Sequence, residues 1–451
     1  MEDHGPDKKT LKKQLWVITL TVVLSMLVYY LPKELVASQR VVLATFIIAG
    51  IFWLTEVVPL YVTSFIIAFV LIFFGGLTPK EAFNPFFDPI IVLFMGGFVL
   101  STAFIKYGVD EFIARKSLRL FGRDPYKVMF GLMVIAAILS MWMSNTAAAA
   151  LLLPISISIL KKSDISEKDP LYKAFPLAIA YAATTGGLGT IIGSPPNALA
   201  VKYLQDFNVR QITFSEWMVY MIPITVVILL VIFVVIRSLY RTKEKELHPH
   251  EDNAKISRSG KFVLVLALVT MMFWLFGSYV GLSSYLIATI PIIVLFGIGF
   301  LNTQDLNKLN WETLLLFGGG LTLGEAVGST GVNEYIASGI GGFLSQFPVL
   351  PFYILLLLIG IAFTVVASNT GAAVVMIPVV IPLATRLGLD PTVLVLLTTI
   401  GVSLDFILPV GTPPSAIAYS SGYIRTLDMV RTGLILTIFV ITIPALIALL
   451  W

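Results

Sequence analysis

"SNTAAAALLLP" (Ser144–Pro154) lies in the middle of an apolar stretch, 128–160, and "SNTGAAVVMIP" (Ser368–Pro378) lies in the middle of another, 352–387. Stretch 128–160 has 33 residues; as one straight helix it would run to about 50 Å, against a bilayer core of about 30 Å. Its middle is polar, and both of its flanks are basic: Arg115, Lys116, Arg119, Arg123 and Lys127 before it, Lys161, Lys162, Lys168 and Lys173 after it. Basic flanks mark the cytoplasmic side. The stretch therefore reads as a re-entrant hairpin that enters and leaves on one side, with Ser-Asn-Thr at its tip. Stretch 352–387 has the same form, but Arg386 is almost alone among basic residues around it. It is expected to enter from the opposite side, so that the two tips meet near the midplane.

Around these tips the halves of the chain repeat. "LFMGGFVLSTAFIKYGVDEFIA" (Leu93–Ala114) aligns without gaps on "LFGGGLTLGEAVGSTGVNEYIA" (Leu316–Ala337), with eleven of 22 positions identical. "GSPPNALA" (Gly193–Ala200) aligns on "GTPPSAIA" (Gly411–Ala418). Three blocks in one order indicate an internal duplication. With opposed hairpins, the repeat is expected to be inverted.

Composition sets the class. Of 451 residues, 57% are hydrophobic and 12% charged, whereas a soluble domain carries about 25% charged residues. Long apolar runs recur from Leu15 to Trp451, and short alternating strands are missing, so an all-α polytopic membrane protein is expected rather than a barrel. The N-terminal "MEDHGPDKKTLKKQ" lacks a cleavage pattern and reads as mature sequence. With no cysteine, and with His4, His248 and His250 all in polar segments, thiolate chemistry and a His-ligated metal within the membrane are excluded. The same absences argue against an enzyme, and nothing indicates nucleic-acid binding. The basic segment Arg115–Lys127 reads as an interfacial helix on anionic lipid, and Arg237–Lys261 as a solvated cytoplasmic loop.

The tips and breaks carry the chemistry. A helix ends before each Ser-Asn-Thr and another begins after it. Exposed carbonyls suit Na+, while N–H groups with Ser, Asn and Thr side chains suit an anion. Gly-Ser-Pro-Pro and Gly-Thr-Pro-Pro break the two later spans in the same way, since proline removes a donor and cannot continue a helix. Stretches 128–160, 174–201, 350–385 and 391–423 contain no Lys or Arg. An anion held there without a counter-charge costs several kcal/mol, and a co-bound cation is the natural offset. Rings of basic side chains, by which channels select anions, are missing. Cation-coupled anion transport is the expectation.

With Ser-Asn-Thr twice, each followed by Gly-[Ser/Thr]-Pro-Pro, and with "WLTEVVPLYVTS" (Trp53–Ser64) early, the chain resembles the divalent anion:sodium symporter family, the INDY-type dicarboxylate transporters. The resemblance spans nearly the whole chain. It implies a homodimer in the cell inner (plasma) membrane with a cytoplasmic N-terminus, working by an elevator mechanism. Residues 1–127 and 262–349 would form the scaffold, 128–236 and 350–451 the transport domain, and 237–261 the linker between repeats. The implied function is Na+-coupled transport of C4-type dicarboxylates (succinate, fumarate, malate). The alternatives are a sodium-independent dicarboxylate exchanger, such as 2-oxoglutarate/succinate, or a sulfate or tricarboxylate carrier on the same fold. Carried over residue by residue, the first Na+ site falls on Ser140, Ser144, Asn145 and Gly193, and the second on Thr364, Ala367, Asn369 and Gly411. Substrate carboxylates would meet Ser144, Asn145, Thr146, Ser194, Ser368, Asn369, Thr370 and Thr412. Two positions depart from the pattern. Ser415 stands where the first repeat has Asn197, and Asp405 where it has Gly187. An acid within a span is a functional suspect; Asp405 is expected here to be a structural acid, as are Glu56 and Glu325.

Overall fold

A computed structural model describes residues 8–244, 246–248, 255–366 and 368–451. The described residues are helical wherever the sequence is apolar, because lipid offers backbone N–H and C=O groups no other partner. Among the described residues, seven helices are long and apolar enough to cross a membrane, including Ala37–Thr55, Phe214–Leu239 and Thr426–Ala448. Shorter apolar helices lie where the sequence predicted hairpin arms or broken spans, including Pro125–Ser140, Val349–Val366 and Pro391–Ser403.

The chain turns at both Ser-Asn-Thr motifs. Helix Pro125–Ser140 ends, four residues turn, and helix Asn145–Lys162 begins with Ser144 as its N-cap, its Oγ accepting from Ala147 N at 3.2 Å. In the second repeat, helix Val349–Val366 is followed by Asn369–Leu387, with Ser368 Oγ accepting from Gly371 N at 3.1 Å. Serine caps satisfy one of the orphan donors of each first turn. Each later span is in two pieces: Leu171–Gly186 and Pro195–Asp206 in the first repeat, Pro391–Ser403 and Pro413–Ser420 in the second. Pro-Pro opens the second piece in both, at the positions where a missing N–H costs nothing.

The repeats match in detail. Helices Val109–Leu118 and Val332–Leu344 follow the aligned Leu93 and Leu316 blocks, and each starts at a left-handed glycine, Gly108 at φ 63° and Gly331 at φ 73°. The repeats also exchange partners. Helix Pro89–Lys106 of the first packs on Ser284–Gly297 of the second, while Trp311–Thr330 of the second packs on Leu60–Phe73 of the first. Likewise Pro195–Asp206 packs on the outgoing arm Asn369–Leu387, and Pro413–Ser420 packs on the outgoing arm Asn145–Lys162. Buried hydroxyls fasten the exchange: Tyr203 donates to Gly320 O and Tyr181 to Phe406 O, each at 2.9 Å. Within the second repeat, the arm Val349–Val366 meets Pro391–Ser403 at Gly360 and Gly401, where a Cβ on Gly360 would come within 3.0 Å of the Gly401 backbone. Close glycine contacts of this kind substitute for the weak hydrophobic drive between helices in lipid.

The linker departs from the expected solvated loop. Helix Phe214–Leu239 runs two residues past Arg237, and the next helix starts at Arg258. Between them Leu247 is fully buried and its N–H donates to Arg123 O at 2.8 Å, His248 N donates to Ser163 Oγ at 2.7 Å, and Thr242 Oγ1 donates to Asp169 at 3.0 Å. These contacts tie the described linker residues to the base of the first hairpin. Its charge density hid one apolar anchor, Leu247. His4 and His250 lie outside the described residues.

Candidate functional site

Four helix N-termini converge on one cavity of about 500 Å³: those of Asn145–Lys162, Pro195–Asp206, Asn369–Leu387 and Pro413–Ser420. All eight predicted substrate residues, Ser144, Asn145, Thr146, Ser194, Ser368, Asn369, Thr370 and Thr412, line it, together with Gly193 and Gly411. Two apolar stretches more than 200 residues apart thus supply one site. The hairpin helices bring backbone donors there. The broken helices bring mainly their dipoles and hydroxyls, because Pro195, Pro196, Pro413 and Pro414 have no N–H.

Magnitudes decide what else the site needs. A helix N-terminus favours an adjacent negative charge by about 0.3–1 kcal/mol, rising to ~2 where partly buried. Four such ends together contribute about 1–8 kcal/mol, the same order as the several kcal/mol per ion of taking charges out of water. Among the described lining residues none is Lys or Arg, and the one charged side chain is Glu56. A multiply charged anion in this cavity would meet no cationic side chain among the described lining residues.

Oxygen clusters stand behind each tip. Ser140, fully buried, donates within hydrogen-bond distance of both Asn145 Oδ1 and, at 2.6 Å, Ala183 O. One hydroxyl proton faces two acceptors, so the cluster is short of positive charge. Gly193 is pressed against two more carbonyls: a Cβ there would lie 2.5 Å from Gly187 O and 3.1 Å from Ser140 O. In the second repeat Thr364 Oγ1 meets Asn369 Oδ1, and Asn369 Nδ2 reaches Ser403 O at 3.4 Å. Hydroxyl, amide and carbonyl oxygens are the donor set that suits Na+ at a helix break, and on this chemistry the predicted residues fit the ion. Ser140 and Thr364 sit behind the asparagines rather than on the cavity wall. Ala367 lies outside the described residues. No group of three His, Cys, Asp or Glu side chains gathers among the described residues.

The opposite wall was not foreseen. Thr55, Glu56, Phe94, Phe98, Asn310 and Thr313 line the cavity, with Trp142 from the first tip. Glu56 ends helix Ala37–Thr55 in a left-handed conformation, φ 47°, uncommon for a residue with a Cβ. Asn310 caps Trp311–Thr330, accepting from Thr313 N at 3.2 Å. The N-cap pattern Asn-x-x-Thr is visible in the sequence, but nothing in it aims that cap at the tips.

Comparison with known proteins places the chain. Residues 50–373 match the citrate transporter (CitMHS) family. An uncharacterized transporter of Haemophilus influenzae is 31% identical over 443 residues, covering 94% of both chains. The sodium-dependent dicarboxylate transporter SdcS of Staphylococcus aureus is 30% identical over 443 residues, 90% of this chain and 85% of its own. Among solved structures, MtrF of Neisseria gonorrhoeae, described as illuminating a class of antimetabolite efflux pumps, superposes with a TM-score of 0.62 at 15% identity over 100% of this chain and 96% of its own; that likeness concerns the fold. The chain belongs to the citrate transporter family, and the recognition of the divalent anion:sodium symporter type in its paired motifs holds. It is a multi-pass membrane transporter of the all-α polytopic class and not an enzyme.

Proposed function

We propose that the chain is a secondary active transporter of C4-type dicarboxylates, such as succinate, fumarate and malate, driven by Na+. One observation carries this reading: four helix N-termini and two Ser-Asn-Thr tips meet in a cavity with no Lys or Arg among its described lining residues, with a cluster of hydroxyl, amide and carbonyl oxygens behind each tip. The dipoles receive the carboxylates, and Na+ at Ser140, Ser144, Asn145 and Gly193, and at Thr364, Ala367, Asn369 and Gly411, offsets their charge. The name of the 30% identical relative SdcS, a sodium-dependent dicarboxylate transporter, supports the same assignment.

Residues 128–236 and 350–451 form the moving transport unit and 1–127 and 262–349 the scaffold, in an elevator that carries the cavity across the membrane. The pairs described above support this division: Pro89–Lys106 and Trp311–Thr330 pack on scaffold helices of the other repeat, and Pro195–Asp206 and Pro413–Ser420 on its hairpin arms. The hairpins enter from opposite faces, and the basic flanks of the first put it and the N-terminus on the cytoplasmic side of the plasma membrane. The scaffold joins two copies in a homodimer, surrounded by lipid.

Uptake of radiolabelled succinate into proteoliposomes tests the function. An inward Na+ gradient is expected to stimulate uptake severalfold. Uptake that ignores Na+ and rises with internal succinate would establish the sodium-independent exchanger instead.

A further inference from the structure

The second break differs from the first at Ser415, which stands for Asn197, and at Asp405, which brings a charge. Gly187, after helix Leu171–Gly186, sits so close to the first tip that a Cβ there would come within 2.6 Å of Asn145 Oδ1. Its repeat counterpart is Asp405, after helix Pro391–Ser403. Asp405 is completely buried. Its Oδ1 accepts from Ile407 N at 2.9 Å, while Oδ2 has no hydrogen-bond partner. Oδ2 lies against Gly411, where any Cβ would overlap it. Gly411 is a proposed ligand of the second cation. Ser403, two residues away, offers its carbonyl to Asn369 and leaves its own buried hydroxyl unpartnered.

We propose that Asp405 supplies an anionic ligand to the second cation site, making that site charged where the first is neutral. The inference rests on the Na+-coupled reading and deepens it. A buried carboxylate oxygen with no donor is unfavourable, and no Lys or Arg lies in 391–423 to pair with it. A monovalent alkali cation at Gly411 satisfies the carboxylate and the surrounding oxygens together. The ligand class is Na+ or a cation of similar size, held more tightly than at the neutral first site. A second consequence concerns the return step. Without its cation this half of the transport unit carries a bare buried charge, so the second cation is the one expected to remain bound when substrate leaves.

Equilibrium binding of 22Na+ to the purified full chain in detergent tests this without any transport assay. The wild type is compared with Asp405→Asn, Asp405→Gly and, as a marker of the first site, Ser140→Ala. The expected result is a loss of at least ~10-fold in affinity for one binding component in both Asp405 variants, with the component that Ser140→Ala weakens left intact. If Asp405→Asn does not fold, Asp405→Gly carries the test, because the first repeat accommodates glycine at the same place. Wild-type or tightened Na+ binding in the folded variants would overturn the ligand role while leaving Na+ coupling standing. A wild type that transports succinate but binds no Na+ would instead remove the coupling reading itself.

Discussion

The two breaks share a backbone plan and differ in how their polar groups are satisfied. In the first, Asn197 Nδ2 donates to Gly187 O at 2.8 Å and to Thr190 O at 2.7 Å, Trp217 Nε1 donates to Leu188 O at 3.0 Å, and Thr190 Oγ1 donates to Met141 O at 2.5 Å. That break is laced by amide and indole donors. In the second, Ser415 replaces Asn197 and its hydroxyl takes part in a local bond with Thr412 Oγ1 at 2.9 Å. The break keeps Tyr181 on Phe406 O and Asp405 Oδ1 on Ile407 N, but Asp405 Oδ2 and the Ser403 hydroxyl lack partners, where the first break leaves only Asn197 Oδ1 unpartnered. The cavity-lining residues of the two breaks are alike, Gly193, Ser194 and Pro195 against Gly411, Thr412 and Pro413, whereas the groups behind them are bonded differently. Groups that face the substrate are constrained by a shared ligand. Groups behind them are constrained only by what each repeat packs against.

The comparison breaks most visibly at the tips, where it predicts equivalence. Asn145→Ala and Asn369→Ala are each expected to reduce succinate uptake to background with the protein still folded by size-exclusion chromatography. An asparagine side chain carries both a carbonyl oxygen suited to a cation and an N–H2 suited to a carboxylate, which is the role proposed for both tips. Normal uptake by either variant would mean that one tip is dispensable.

Behind the tips it predicts inequality. Asn197→Ser gives the first break the residue of the second and strips donors from two buried carbonyls, at a cost of about 1–3 kcal/mol each. The expected outcome is a melting temperature lowered by several degrees. Ser415→Asn, the reciprocal change, has no such pair of bonds to lose, and a smaller shift is expected. Equal shifts in the two variants would deny that the breaks are differently braced.

A third asymmetry concerns attachment. Lys202, on Pro195–Asp206, bridges Asp88 at 3.0 Å and also pairs with Asp206, all three largely buried. Its repeat counterpart is Ser420, so helix Pro413–Ser420 has no ionic tie at that place. Asp88 belongs to the proposed scaffold and Lys202 to the moving unit. Lys202→Gln is expected to change the rate of succinate uptake a few-fold while leaving its half-saturating concentration nearly unchanged. A change confined to the half-saturating concentration would place the pair in binding rather than movement.

What was legible in the sequence follows from the range of the signals. Hairpin tips and broken spans are written locally, as polar or Gly-Pro interruptions of apolar runs, and Ser144, Ser194, Ser368 and Thr412 were found because each interrupts such a run. The exchange of partners between repeats was not legible, because it depends on which faces of Pro89–Lys106 and Trp311–Thr330 turn inward. Thr55, Glu56, Asn310 and Thr313 were missed for the same reason: they come to the cavity from helix ends in other parts of the chain. Glu56 was read as a structural acid at a turn; it does end a helix, and it also faces the cavity. Leu247 escaped notice because one apolar residue in a charged linker has no periodicity to betray it.

The central claim is that two tips, entering from opposite faces, build one site. The chain has no cysteine, so single cysteines report topology without background. Lys162→Cys lies at the base of the first hairpin and Gln346→Cys just before the second, both on exposed positions. In cells and in inverted vesicles, a membrane-impermeant maleimide is expected to reach Lys162→Cys only from the cytoplasmic side and Gln346→Cys only from the outside. Labelling of both from the same side would make the repeat parallel and would contradict the account.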